Sequence, residues 1–138
     1  MEKNLAEIIL IDSKNRILLQ HRTSDAPTYP NQFCIFGGKI EEGEDAKTAV
    51  KRECFEELEY NLENPKLILN MICESKYGKR NKYIFMEKYN PIKKLILHEG
   101  QNMLWVGKKD YKNLDVVEHD LPVLKKVFNN ELEQVKKI

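Results

Sequence analysis

Apolar and polar positions alternate along the chain in short blocks. Residues 5–12 (LAEIILID) and 16–22 (RILLQHR) are rich in β-formers, and the intervening SKN is turn-like, so the opening reads as a hairpin. Residues 23–31 (TSDAPTYPN) hold two prolines among turn residues and read as a loop. QFCIFGGKI reads as a short strand interrupted by Gly37 and Gly38, a pair that marks a tight bend or a close backbone approach. After the loop closed by Gly43, Asp45 is suited to cap a helix from Ala46 to Leu58. KLILNMICES and NKYIFMEKY read as two strands joined through KYGKR, and NMLWV as a further short strand. Asp110 to Leu114 reads as one helical turn. Asp120 to Lys136 reads as a closing helix with Pro122 in its first turn. Strands with two helices predict an α/β sandwich around a mixed sheet.

Composition narrows the class. The 138 residues suit one compact domain spanning 1–138, and 41% hydrophobic with 33% charged content marks a globular chain. The 23 basic and 22 acidic residues nearly cancel, which argues against a general nucleic-acid polymer or membrane surface as partner. Cys34, Cys54 and Cys73 form no CxxC pair and are odd in number, so neither a zinc ribbon nor a disulfide framework is expected. No apolar run is long enough to span a membrane, and no signal-peptide pattern opens the chain. The expected compartment is the reducing cytoplasm.

One stretch resists the bland reading of a solvated charged face. RECFEELEY, residues 52–60, holds four glutamates, and like charges three or four apart on a helix repel by about 0.2–0.5 kcal/mol per pair. At about 100° per residue, Glu53, Glu56 and Glu57 fall on the face that carries Ala46, Ala49 and Val50, while Lys47, Lys51 and Phe55 fall opposite. Carboxylates turned inward need compensation. Arg52 offsets one, and an all-oxygen set suits a hard divalent cation for the rest.

The spacing around that stretch resembles the Nudix box, GX5EX7REUXEEXGU, in which U is a bulky aliphatic residue. Gly38, Glu44, Arg52, Glu53, Glu56 and Glu57 all match it. RILLQHR, GGKIEEGE and the tail from EGQNMLWV to LPVLKKV look like the MutT-type branch, so the resemblance extends over nearly the whole chain. Four positions depart from the pattern. Glu59 stands where the box has its last glycine, Cys54 and Tyr60 fill the aliphatic positions, and Phe36 replaces a frequent proline. With Glu59 there, the helix is expected to run on and end at Asn61.

The resemblance implies a Nudix-type α/β/α sandwich and Mg²⁺-dependent hydrolysis of a phosphoanhydride bond, with Mn²⁺ able to substitute. By the same resemblance, Glu53, Glu56 and Glu57 hold the metal with the Gly37 carbonyl, and Arg52 orients the glutamates. Gly38 and Glu44 support the motif, with a plain helix-capping carboxylate as the other reading of Glu44. Glu53 and Glu99 are alternative general bases; Glu56 and Arg52 complete the catalytic set. Lys39 and Arg22 would meet phosphates. Asp120 has two readings, a contact to a nucleobase or the N-cap of the last helix, and the second is preferred. Trp105 is expected in core packing, and Tyr29 is a second aromatic able to stack on a base. The expected substrate is a nucleoside triphosphate, oxidised or otherwise non-standard, cleaved to monophosphate and pyrophosphate. The alternatives are ADP-ribose or another nucleotide sugar, and a non-catalytic nucleotide-binding module. The expected partner is a small nucleotide bound by a monomer or homodimer.

Overall fold

The computed structural model describes residues 3–132. In chain order its elements are β1 (Lys3–Ile11), β2 (Ile17–His21), β3 (Phe33–Cys34), β4 (Phe36–Lys39), α1 (Ala46–Leu58), β5 (Lys66–Ser75), β6 (Gly78–Lys88), β7 (Asn102–Val106), a 3-10 turn (Tyr111–Asn113) and α2 (Leu121–Phe128). All seven strands join one mixed sheet, ordered β3-β2-β1-β6-β5, with β4 also paired to β1 and β7 to β2. β1 runs parallel to β6 over its whole length, from Lys3 opposite Arg80 to Ile11 opposite Lys88, and antiparallel to β4.

The sheet is covered on both faces, so β1 is buried without a break from Ala6 to Leu10. Ile9, Ile17, Leu19, Ile84 and Met86 meet Val123, Leu124 and Val127 of α2 on one face. Ala6, Ile8, Leu10, Leu18 and Phe36 meet Ala49, Val50, Cys54 and Leu58 of α1 on the other. This is the expected α/β/α sandwich.

Four local expectations change. The opening hairpin closes through a single pair, Ile11 with Ile17, after which β1 turns to β4 and β6 while β2 turns to β3 and β7. Gly37 and Gly38 lie inside β4, and the break in QFCIFGGKI falls at Ile35. Helix α1 ends at Leu58, because Glu59 itself takes the left-handed conformation at φ 51°. A non-glycine residue there costs about 1 kcal/mol, but two contacts hold the turn. The backbone of residues 96–98 caps the helix, Ile96 N–H to the Leu58 carbonyl at 2.9 Å and His98 N–H to the Glu57 carbonyl at 2.8 Å. Tyr60 is also buried, its hydroxyl accepting from Asn90 N–H at 2.9 Å. Finally, α2 stops at Phe128, with Asn130 left-handed, and the part of the expected helix beyond 132 lies outside the described residues.

Candidate active site

The loop before α1 and the first three turns of the helix are built around Arg52. Asp45 caps the helix, its Oδ1 accepting from Thr48 N–H at 2.7 Å. Glu44, one residue earlier, is therefore not the helix cap. Its Oε1 accepts from Glu41 N–H at 2.9 Å, and its two oxygens accept a fork from Arg52, Nε at 2.7 Å and Nη2 at 2.9 Å. Those bonds, Arg52's foremost, hold the Glu44 carboxyl down at about 2. Arg52 Nη1 reaches Glu53 Oε1 at 2.9 Å and Glu56 Oε2 at 3.2 Å, while Nη2 also reaches the Lys39 carbonyl at 2.9 Å. One guanidinium thus ties the loop, the end of β4 and two box glutamates together.

The three box glutamates do not face inward equally. Glu57 is 6% exposed, whereas the side chains of Glu53 and Glu56 are 15% and 56% exposed. The expectation that all three turn inward is corrected for Glu56. Glu53 and Glu57 are separated by about 40° around the helix, while Glu56 is offset about 60° the other way. Burial first, then the charges of Glu53 and Glu99, push the Glu57 carboxyl up to about 9, against a backbone hydrogen bond from Gly37. Its Oε1 is buried with no hydrogen-bond partner. Burial likewise raises Glu53, against its bond to Arg52. The bare strand backbone of Gly38 in β4 is what admits Glu53 here, since a Cβ on Gly38 would collide with the Glu53 carboxylate.

This donor set suits a divalent oxygen-binding cation: an orphaned buried carboxylate oxygen, acids that repel one another, and no nitrogen or sulfur donor. Among the described residues, however, no three acidic, His or Cys side chains converge as a closed ligand cage. Glu53 and Glu56 are occupied by Arg52. A partial set fits Mg²⁺, which keeps water and substrate phosphate oxygens among its ligands.

Beside the acids opens a cleft of about 310 Å³. Eight of the sequence candidates line it: Gly37, Gly38, Lys39, Glu57, Glu99, Arg22, Asp120 and Tyr29. Glu44, Arg52, Glu53 and Glu56 stand behind or beside it. Arg22 spends its guanidinium on its own loop, donating from Nε to the Thr28 carbonyl at 2.8 Å and from Nη2 to Thr28 Oγ1 at 3.0 Å. Glu99 follows the residues that cap α1, and its charge is felt by both Glu53 and Glu57. It makes no hydrogen bond or ion pair among the described residues.

Asp120 holds the N-cap position of α2 preferred from sequence, but its side chain does not cap the helix. Its own backbone is already helical, at φ −84° and ψ −22°. The carboxylate instead turns into the floor of the cleft, 1% exposed, accepting from Ile35 N–H at 3.1 Å and from Lys82 Nζ at 2.9 Å. Lys82 also lies 3.2 Å from Glu7 Oε1. Sequence reasoning missed Glu7, Arg80, Lys82 and His119. The available signal was a glutamate in the apolar run LAEIILID and two cations at alternate positions of a strand leading to YIFM. Burial pushes Glu7 up to about 7 against the pull of Lys82. Tyr29 hydroxyl and His119 Nε2 are 2.7 Å apart, which fixes the outer loop to the residue before Asp120. Trp105 packs on Tyr89 at 5.0 Å in the core beneath α1.

A mixed sheet between two helices, with a glutamate-rich helix opening beside a Gly-Gly strand, defines a class, and the family comparison agrees. The NUDIX domain model matches residues 3–125, and the chain belongs to the Nudix pyrophosphohydrolase family. Its fold is similar to that of the MutT protein from Methanosarcina mazei Go1, at TM-score 0.82 and 19% identity over 94% of each chain. It is also similar to MutT from Aliivibrio salmonicida and Vibrio cholerae, at TM-score 0.77 and 21% identity over 94% of this chain and 99% of that one. An Ap4A hydrolase from C. elegans matches at TM-score 0.73 and 21% identity, covering 90% of this chain and 93% of its own. At these identities the likeness is one of fold. No curated protein sequence matches the chain. Among the described residues, no helix is long and apolar enough to cross a membrane.

Proposed function

We propose that the protein hydrolyses a nucleoside triphosphate, of oxidised or otherwise non-standard type, to monophosphate and pyrophosphate. The observation that carries this reading is Glu57, a buried carboxylate with an unpartnered oxygen on the wall of a cleft large enough for a nucleotide. Glu53, Glu56 and Glu57, with the Gly37 carbonyl, would hold Mg²⁺, or Mn²⁺ in its place. Bound there, the ion supplies charge neutralisation for phosphate oxygens and acidifies water. Arg52 and Glu44 hold the helix and loop in register, so that the glutamates need little rearrangement. Lys39 and Arg22 bring positive charge to the phosphates. Glu99, on the cleft and without a protein partner, takes the proton of the attacking water. Glu53, committed to Arg52, is the less suited base. Asp120 borders the end that receives the nucleoside.

The whole chain, residues 1–138, would act as one unit, monomer or homodimer, on a small nucleotide. Free Cys34, Cys54 and Cys73 support a reducing, cytoplasmic setting. The test is a panel of nucleotides with Mg²⁺ or Mn²⁺, with products separated by chromatography. Pyrophosphate release is expected, and Glu57→Gln should lower kcat by roughly 10²–10⁴-fold. A sugar phosphate without pyrophosphate would transfer the activity to nucleotide sugars. Wild-type turnover by both Glu53→Gln and Glu57→Gln would overturn the assignment of the acids, and binding without turnover of any substrate would make the protein a binding module.

A further inference from the structure

We infer that the end of the cleft away from the acids receives a phosphate-type oxyanion, carried by the substrate apart from its cleaved linkage and bound by Arg80 with Lys3. This deepens the nucleotide reading and rests on it.

Arg80 is 7% exposed and lines the cleft, two residues before Lys82 on β6. The two cations are matched very differently. Lys82 sits between two carboxylates, Asp120 at 2.9 Å and Glu7 at 3.2 Å. Arg80 has no carboxylate within ion-pair reach among the described residues; its one protein bond runs from Nη1 to the Tyr77 carbonyl at 3.3 Å. Its neighbour across the strand pair is Lys3, another cation on the cleft wall. Like charges paired across strands destabilise a sheet, and Arg80 makes no direct ion pair that would offset this. A guanidinium fork beside an ammonium is the arrangement that a phosphate matches, two oxygens to the fork and the remaining charge to the lysine.

Placement separates this point from the acid side. Gly37 on β4 pairs with Glu7, whereas Arg80 on β6 pairs with Lys3, four residues earlier on the same strand. With about 3.3 Å per residue and about 4.8 Å between strands, the two backbones are on the order of 15 Å apart. That exceeds the span of one pyrophosphate and suits a nucleotide reached by an arginine side chain. The acids and the Arg80 end therefore meet different parts of one ligand. Asp120, with both oxygens engaged, and Glu7 both lie against Lys82, so neither carboxylate makes an ion pair with Arg80.

The test is metal-free calorimetry of the full chain with AMP and with adenosine 3′,5′-bisphosphate. Wild type should bind the bisphosphate at least tenfold more tightly, and Arg80→Met should erase that difference while leaving AMP affinity within about threefold. If Arg80→Met does not fold, Arg80→Lys serves, with a reduced preference expected. Equal affinity of wild type for the two ligands would overturn the inference, as would an undiminished bisphosphate preference in Arg80→Met. An Arg80-dependent preference for IMP over AMP would assign the guanidinium to a base edge instead and equally overturn it. Absence of binding by every nucleotide would count against the nucleotide reading itself.

Discussion

Arg52 and Lys82 each sit among carboxylates, yet they organise opposite kinds of charge. Arg52 is near the surface and spreads over Glu44, Glu53 and Glu56, with each of these carboxylates carried by α1 or the loop leading into it. Lys82 is 4% exposed and joins Glu7 of β1 to Asp120 at the start of α2, three elements far apart in sequence. The first network can exchange partners, because solvent and a cation compete for the same glutamates. The second cannot, because no water replaces what is lost. The first is therefore the adaptable network under the proposed function, and the second is the fixed floor of the cleft.

That contrast can be broken from the buried side first. Lys82→Met should strand Glu7 and Asp120 without a cation and destabilise the fold by about 3–5 kcal/mol, measured by denaturant unfolding. Adding Glu7→Gln and Asp120→Asn should recover most of the loss. A Lys82→Met protein as stable as wild type would mean that the floor is not held by charge. On the other side, Arg52→Ala should leave a folded protein whose turnover falls roughly 10–100-fold and whose Mg²⁺ requirement rises, as expected when a residue that orients metal-holding groups is lost. Metal titrations of activity would read this out, and an unchanged Mg²⁺ requirement would contradict it.

The smallest effect is one of pH. Arg52 and the Glu41 N–H hold the folded Glu44 carboxyl near 2, below the 4.5 of the free group. Its contribution is thus fully present above about 4.5 and fades as pH falls toward 2. Melting temperatures of wild type should decline across that window more steeply than those of Glu44→Gln. Parallel curves would show that the Arg52–Glu44 fork adds nothing to the folded state.

The same division explains what could be read without a structure. The box was legible because its residues are close in sequence and their spacing is that of a helix preceded by a loop. The sandwich was legible because strand and helix periods alternate along the chain. The hairpin was overread, since local apolar alternation cannot show that β1 would leave β2 for strands further on. The Asp120 side chain was misread because its position before Pro122 is that of a cap, and only the arrival of Lys82 and the Ile35 N–H reveals another use. Glu7, Lys82 and Arg80 carried little signal, because each acquires meaning from a neighbour on another strand. The helix end was expected at Asn61 because left-handed geometry is usually a glycine property, whereas Glu59 adopts it with support from residues 96–98.

The parallel pairing of β1 with β6 has a consequence for how the molecule comes into being. Lys3 finds its partner only at Arg80, and Ile11 only at Lys88. Such distant pairing makes assembly slow, since a long loop must close before any of its contacts form. On a ribosome, α1 is synthesised before β6 exists, so its glutamates first meet water as ordinary surface acids. The cleft, whose lining includes Arg80 and Lys82 of β6, is then completed only after the box helix has been made.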